Sequence, residues 1–368
     1  MLTRKSFIAS LASGGATLLS GCSFRHNEAD NIGKRPVKFL FMTDMHVEAD
    51  FVEHGHGCFP MWKAGNHAAL RKTFEFINED SFCRDVSFAL FGGDQLNTGY
   101  DYNPWDLETE KRIYFDALSR LDLHNKTQNT DLSDLNFRFA PEFMTNRRSF
   151  RHPSLSSRVI AIQGNHDTGV RDFYRDCAFQ AGPVRFICFF ASYIGLPAAP
   201  GKYRSTGGIS DATMAFVERE MELAAHDPAI RHIVLVSHWS IVTGNPDFKL
   251  PILDACKENK FNGNRSRLLA LAEKHGCSLY ISGHEHNGAF PVGQAGPLTD
   301  ISCGTVTGAK GSWSVVEIND DRAVFTIYSR AEAKGPEDAE RESEVVYTRL
   351  PQRLFTREIL LTPKKGVA

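Results

Sequence analysis

The chain has 368 residues, of which 42% are hydrophobic, so one large domain or two ordinary ones can build a full core without help from disulfides. Lys and Arg number 42 against 44 Asp and Glu, a formal net charge of −2, so no overall basic field recruits nucleic acid. No internal repeat and no long low-complexity tract is present.

The N-terminus reads as an export signal. Arg4 and Lys5 precede an apolar, small-residue stretch from Phe7 to Leu19, too short for a comfortable membrane span. It ends in Leu19-Ser20-Gly21-Cys22, which resembles a bacterial lipobox and implies that Cys22 is lipidated and becomes the mature first residue. Thr3-Arg4-Lys5-Ser6-Phe7-Ile8 resembles a twin-arginine signal with Lys5 in place of the second arginine. An ordinary cleaved signal or an uncleaved signal anchor is the alternative. The expected organisation is a signal peptide over 1–21, a polar tether over 22–36, and a single domain over 37–368 with an insertion at about 122–157. The expected location is the periplasm or cell envelope, lipid-anchored at Cys22, with the membrane as a partner and no nucleic acid or obligate protein partner. Besides Cys22, the other seven of the eight cysteines show no Cys-x-x-Cys spacing, so neither a zinc knuckle nor a thioredoxin-like site is indicated. Cys188, Cys277 and Cys303 lie in apolar runs and read as small core residues.

A strand is expected over 37–42, followed by a loop rich in Gly, His and aromatics over 51–66. Leu70, Phe74 and Ile77 predict a helix over 68–78. A strand over 86–91 and a helix over 105–121 follow. The polar, Phe- and Arg-bearing stretch 122–157 reads as a lid, a specificity insertion or a surface excursion. Strands are expected over 159–163 and 185–191, then a helix over 211–225 capped by Ser210, a strand over 233–236, a helix over 266–275 and a strand over 278–282. Beyond residue 298 the pattern changes to short strands over 301–303, 313–318, 323–328 and 345–350, with a charged loop over 334–344. This order suggests two packed sheets with outer helices.

Five apolar strand ends run into side chains that bind metal or move protons. They are Thr43-Asp44-Met45-His46, Gly92-Gly93-Asp94-Gln95-Leu96-Asn97, Gly164-Asn165-His166-Asp167, Ser237-His238 and Gly283-His284-Glu285-His286. Open α/β sheets place their sites at such carboxyl ends. Side chains at i and i+2 of an extended segment point the same way, so Asp44 and His46 can reach one ion, and His284 and His286 one or two. Asp94 follows a glycine pair that lets the backbone turn closely, and one carboxylate can span two ions roughly 3.5–4 Å apart. Asn165 adds a carbonyl oxygen and His238 a nitrogen. Nitrogen and oxygen donors without thiolate favour Mn, Fe, Co or Zn, whereas Mg prefers all-oxygen sites. Two divalent ions against Asp44, Asp94 and a bridging hydroxide leave the site net positive, which suits a phosphoryl group.

Taken in order, Asp44-x-His46, Gly93-Asp94-x-x-Asn97, Gly164-Asn165-His166-Asp167, His238 and Gly283-His284-x-His286 resemble the calcineurin-like metallophosphoesterase superfamily, from residue 44 to residue 286. The resemblance implies a four-layer α/β/β/α sandwich of two mixed sheets with outer helices, and a dinuclear centre between the sheets. It implies Asp44, His46, Asp94 and His286 at one metal, and Asp94, Asn165, His238 and His284 at the other, with two divalent or Fe-type transition metal ions as cofactors. The implied reaction is hydrolysis of phosphate monoesters or diesters, with a bridging hydroxide attacking phosphorus. His166 is expected to protonate the departing alkoxide as general acid, with Asp167 orienting and charging its ring. Asn97 is expected to support the Asp94 loop or touch phosphate, and Arg171 is a candidate phosphate contact. The alternatives are a metal-holding scaffold without turnover, or an exported nuclease or nucleotidase.

Overall fold

Apolar runs such as Val37-Lys38-Phe39-Leu40-Phe41-Met42 are buried on both faces, which is how a central strand between two layers looks. The computed structural model describes residues 36–47, 66–97, 104–123, 135–139, 158–167, 170, 172–197, 203–242, 250–256, 261–306, 311–330 and 351–365. Its strands in chain order are β1 Val37–Met42, β2 Phe88–Phe91, β3 Arg138–Phe139, β4 Val159–Ala161, β5 Cys177–Ala181, β6 Val184–Cys188, β7 Ser192–Pro197, β8 Tyr203–Gly208 and β9 His232–Val236. They continue as β10 Ala255–Cys256, β11 Phe261–Asn262, β12 Leu279–Ser282, β13 Val292–Ala295, β14 Leu298–Ser302, β15 Ser312–Ile318, β16 Arg322–Arg330 and β17 Pro351–Leu360. One sheet has the order β17-β16-β15-β1-β2-β4 and the other β13-β14-β12-β9-β6-β5-β3. Both are mixed. β1, β2 and β4 run parallel while β15 to β17 are antiparallel. In the second sheet β6, β9, β12 and β14 run parallel, flanked by antiparallel β5 and β13.

The period-two alternation sorts side chains into three cores. Phe39, Phe41, Phe88 and Leu90 of the first sheet meet Phe179, Phe186, Val234 and Ile281 of the second. Phe39 stacks on Phe88 at 5.1 Å between ring centroids and meets Phe186 edge-on at 5.2 Å. Their neighbours Leu40, Met42, Ala89 and Phe91 turn the other way, onto Leu70, Phe74 and Ile77 of the helix Asn66–Glu79 and onto Tyr114 and Leu118 of the helix Pro104–Leu118. Ile187, Ile233, Leu235 and Tyr280 pack on Met214, Val217 and Met221 of the helix Asp211–His226 and on Leu268 and Leu271 of the helix Arg265–His275. The result is the expected α/β/β/α sandwich.

Ser210 caps its helix as anticipated, its side chain accepting from the Thr213 amide. Other elements differ from expectation. The expected strand over 185–191 ends at Cys188 and is the second arm of a hairpin, β5–β6, turning at Gly182 and Pro183. Arg138–Phe139, within the expected insertion, is an edge strand beside β5. It is held there in part by Arg185, which donates to the Asn136 carbonyl at 3.1 Å and pairs with buried Glu220. The helix Ser81–Arg84 and the strands β7, β8, β10, β11, β13 and β17 were not anticipated. The strand expected over 345–350, the signal and tether with Cys22, and most of the insertion lie outside the described residues. Among the described residues no helix is long and apolar enough to cross a membrane.

After β17 the chain leaves the first sheet for the second sheet's outer layer. The Lys364 amide donates to the Arg231 carbonyl at 2.8 Å and the Lys365 amide to the His275 carbonyl at 3.2 Å. Lys364 Nζ donates to the carbonyls of Ala224 at 2.7 Å and Ala225 at 2.9 Å, placing a cation at the negative end of the Asp211–His226 helix.

Candidate metal centre

The loops leaving β1 and β2 remain paired beyond the strand ends. Asp44 N–H donates to the Gly93 carbonyl at 2.9 Å, His46 N–H to Asp94 at 2.9 Å and Val47 N–H to Gln95 at 3.0 Å. Asp44 and Asp94 are thereby carried side by side. The convergence of i and i+2 side chains does not come from extended backbone, as expected from the sequence. Asp44 (φ 54°), His46 (φ 44°), Asp94 (φ 52°), His284 (φ 68°) and His286 (φ 52°) all occupy the left-handed region. Asp and His are enriched there among non-glycine residues, but each such residue still costs about 1–3 kcal/mol, so the surrounding hydrogen bonds must hold it. Two glycines provide close approach. A Cβ on Gly164 would sit 2.1 Å from Asp94 Oδ1, and one on Gly283 would sit 2.2 Å from Thr43 Oγ1 and 2.8 Å from Asp44 Oδ2.

Among the described residues three groups of candidate ligand atoms result, each with its atoms within 4.8 Å of one another: Asp44, His46 and His286; Asp94, His238 and His284; and, between these first two, His46, Asp94 and His166. His286 Nε2 lies 2.9 Å and His46 Nε2 3.6 Å from Asp44 Oδ1, and the two imidazole nitrogens are 3.1 Å apart. Asp94 Oδ2 lies 3.1 Å from His238 Nε2 and 3.7 Å from His46 Nε2, so it faces both groups. Bonds of about 2.0–2.2 Å around one ion put its ligand atoms roughly 3–3.6 Å apart. The donor spacing therefore fits a cation in each of the first two groups. His238 Nδ1 lies 2.9 Å from the Gly92 carbonyl and donates to it in the tautomer that leaves Nε2 as a lone pair toward Asp94. Asn165 is buried in the turn between Gly164 and His166.

The charges are interlocked. Burial acts to raise the Asp44 pKa, but His286 and His238 outweigh it and hold the carboxyl well below the usual range. Burial likewise opposes ionisation of Asp94, and His238 and His166 reverse the effect. Burial works against a charge on His238, yet Asp94 and Asp44 lift it to about 9. A concentration of largely buried carboxylate and imidazole needs compensating cations, and this donor set supplies no cation other than protonated histidine.

His166 stands at the edge of the first two groups. Its amide donates to Asp94 Oδ1 at 2.8 Å, its ring meets His46 edge-on at 4.8 Å, and Nδ1 lies 3.2 Å from the Asn97 carbonyl. Burial draws its pKa down to about 4, against the pull of Asp94. Asn97 thus meets His166 through its backbone. The described bonds of Asp167 go to main-chain amides rather than to the His166 ring it is expected to orient. Its carboxylate accepts the amides of Gln95 at 3.1 Å, Leu96 at 3.0 Å and Gly164 at 3.0 Å, fastening the loop after β4 to the loop after β2. The physical reason is that these amides lie beyond the strand ends and need an acceptor, which the buried carboxylate supplies. Burial and Asp94 raise the Asp167 pKa to about 7. Arg171 lies outside the described residues.

A family model for the calcineurin-like phosphoesterases matches residues 37–288. The chain belongs to this family. A calcineurin-like phosphoesterase is a metal-dependent hydrolase of phosphate esters, and the two ligand groups above supply its candidate metal positions. Among solved structures, the chain is similar to a dimetal phosphatase from Danio rerio at 13% identity, covering 81% of this chain and 98% of that one, with a TM-score of 0.48. It is also similar to GAP50, the anchor in the inner membrane complex of Plasmodium, at 12% identity over 90% of this chain and 91% of that one, TM-score 0.44. A Vps29 mutant from Entamoeba histolytica has 11% identity over 88% and 99%, TM-score 0.32. With each of these scores below 0.5, the assignment rests on the family model. No curated protein sequence matches this chain.

Several residues of this phosphoesterase that shape the centre left little trace in the sequence. Thr43 Oγ1 donates to Asp44 Oδ2 at 2.8 Å, and the His284 amide donates to the same oxygen at 3.0 Å, so one oxygen of Asp44 is fixed while the other faces His286. Thr305 Oγ1 donates to the Asp44 carbonyl at 2.6 Å from a loop far along the chain. Only Thr43 had a signal, its adjacency to the first motif. Fully buried Trp239 lies beside the second group, its ring 5.3 Å from His238 and 4.9 Å from His284.

Proposed function

We propose that this chain hydrolyses phosphate esters at two transition metal ions, one held by Asp44, His46, Asp94 and His286 and the other by Asp94, Asn165, His238 and His284. The observation that carries this reading is the position of Asp94 Oδ2, 3.7 Å from a nitrogen of the first group and 3.1 Å from a nitrogen of the second. When bound, such ions activate a water for in-line attack and neutralise the phosphoryl oxygens. Asp94 spans the two positions and, through Oδ1, fixes the backbone of His166. In its protonated form His166 directs Nδ1–H at the Asn97 carbonyl and gives the Nε2 proton to the departing alkoxide, leaving the neutral ring. Asp167 keeps the His166 loop in register with Gln95 and Leu96. Imidazole and carboxylate donors favour Mn, Fe, Co or Zn.

The protein acts outside the cytoplasm in this reading, held to the membrane by lipid on Cys22; the lipobox-like sequence supports this. The insertion and the loop over 51–66 are where selection among esters would be made.

The test is to strip the purified protein with chelator, restore Mn, Fe, Co or Zn singly, and assay a mono-aryl and a bis-aryl phosphate. Metal-dependent turnover supports the reading, and the preferred ester decides between phosphatase and phosphodiesterase. Two bound metals with no turnover on any phosphate ester would point to a scaffold instead. Replacing Cys22 with Ala and fractionating cells tests the anchor: the variant is expected in the soluble fraction.

A further inference from the structure

The two histidines of the second ligand group come from different strands, and one buried side chain outside all the sequence motifs ties their loops together. Asp300, on β14, is fully buried. Its Oδ2 accepts from Ser240 Oγ at 2.6 Å, Ile241 N at 2.8 Å and Val242 N at 3.0 Å, all in the loop that follows His238. Its Oδ1 accepts from Ser282 Oγ at 2.9 Å, and Ser282 stands two residues before His284. No cation is among these four partners. Burial pushes the Asp300 pKa up, opposed by the same four donors.

A buried carboxylate without a cation is expensive, and a packed apolar residue would serve the sheet better. What an apolar residue cannot do is accept three donors on one oxygen. Ile241 and Val242 have left β9, so their amides need an acceptor that no strand provides. The same side chain then reaches the end of β12, where the chain is about to deliver His284. The loops also meet directly, Gly283 N–H donating to the His238 carbonyl at 2.9 Å, and Tyr280 Oη donates to the Trp239 carbonyl at 2.8 Å. Asp44 and His46 are fastened chiefly to Gly93, Asp94 and Thr305, with the His284 amide reaching one Asp44 oxygen.

We propose that Asp300 is a positioning residue for the second metal position: it sets the spacing of His238 and His284 by clamping both of their loops from behind. The proposal rests on the reading of the two ligand groups as metal positions. It assigns Asp300 no contact with metal or substrate.

Mn(II) binding by calorimetry on the chelator-stripped full chain tests it, with His238→Ala marking which of two binding events belongs to the second group. Removing partners that orient ligands weakens metal affinity about 10–100-fold, so Asp300→Ala is expected to weaken the event lost in His238→Ala at least about tenfold. The other event, whose ligand His286 leaves the same loop but whose Asp44 and His46 come from β1, is expected to weaken less. Asp300→Asn should keep both events, since its carbonyl can take the Ser240 and Ile241 donors while Val242 N–H keeps Ser240 Oγ, and its amide can donate to Ser282 Oγ. Unchanged binding in Asp300→Ala, or equal weakening of both events, overturns the proposal, as does an Asn variant as impaired as the Ala variant. If Asp300→Ala does not fold, Ser240→Ala combined with Ser282→Ala removes the hydroxyl donors and is expected to weaken the same event; unchanged binding there overturns the proposal. A wild-type protein that binds fewer than two Mn(II) refutes the metal reading itself, and this inference with it.

Discussion

One oxygen of Asp94 accepts the main-chain N–H of His166 at 2.8 Å. The other faces the histidines of both ligand groups. The residue that faces both candidate ligand groups thus also positions the candidate proton donor. Asp94→Ala is therefore expected to weaken both Mn(II) binding events at least about tenfold, about 1.4 kcal/mol each, and to abolish turnover. Calorimetry of the variant checks this. Loss of one event alone would mean that Asp94 does not bridge.

His166→Ala should separate chemistry from binding. The described partners of its ring are the Asn97 carbonyl and the His46 ring, both in loops beyond the strand ends, so both metals and the melting temperature are expected to be retained. Turnover should fall about 10²-fold or more, the range of general acid catalysis. Steady-state kinetics beside metal analysis decide it.

Asp167 should behave differently. Asp167→Ala strands the amides of Gln95, Leu96 and Gly164, and a buried unsatisfied donor costs about 1–3 kcal/mol. The variant is expected to lose turnover and thermal stability together. A fall in turnover at unchanged melting temperature would restore Asp167 as a partner of the His166 ring.

Gly164 allows no side chain. The added Cβ of Gly164→Ala would meet Asp94 at Oδ1 and at its amide nitrogen, 2.1 Å and 2.4 Å away. Overpacking costs about 1–3 kcal/mol, and here it displaces a ligand. Weaker metal binding with an otherwise cooperative melt is expected.

Stability should fall in mild acid, independently of the metals. His232 on β9 is buried, and burial lowers its pKa below the ordinary value, with Arg231 adding to the effect; its Nε2 lies 3.0 Å from the Asp320 carbonyl. Below about pH 6.5 the unfolded chain binds a proton that the folded one resists. The contribution of His232 is thus complete above that pH and is lost as pH falls toward the folded pKa. His275, lowered by burial as well, acts in the same direction. Melting temperatures compared near pH 7.5 and pH 5.5 should show a smaller drop in His232→Gln than in the wild type.

The centre was legible because each ligand follows the end of a buried apolar strand, so β1, β2, β9 and β12 could be read together with what they carry. The left-handed turns were not legible, because i and i+2 spacing looks the same in a strand and in a turn. Nor was the placement of Asp167, whose partners Gln95 and Leu96 lie 72 and 71 residues away. β17 was missed for another reason. At the sheet edge Gln352, Arg353, Leu354, Thr356, Arg357 and Glu358 are exposed, so the apolar alternation that betrays a half-buried strand is absent. The β5–β6 hairpin carried a Gly182-Pro183 turn signal, but Cys177-Ala178-Phe179-Gln180-Ala181 holds no β-branched residue and one large apolar one.

The segment that follows β17 has a mechanical consequence. Its strand belongs to the first sheet, while Lys364 and Lys365 are fastened to Arg231, His275 and the end of the Asp211–His226 helix on the far layer. One sheet cannot peel away without tearing that seam. The halves that supply Asp44 and Asp94 on one side and His238, His284 and His286 on the other are therefore expected to melt together, and a protease cut between Leu361 and Lys364 to loosen the hold of one sheet on the other.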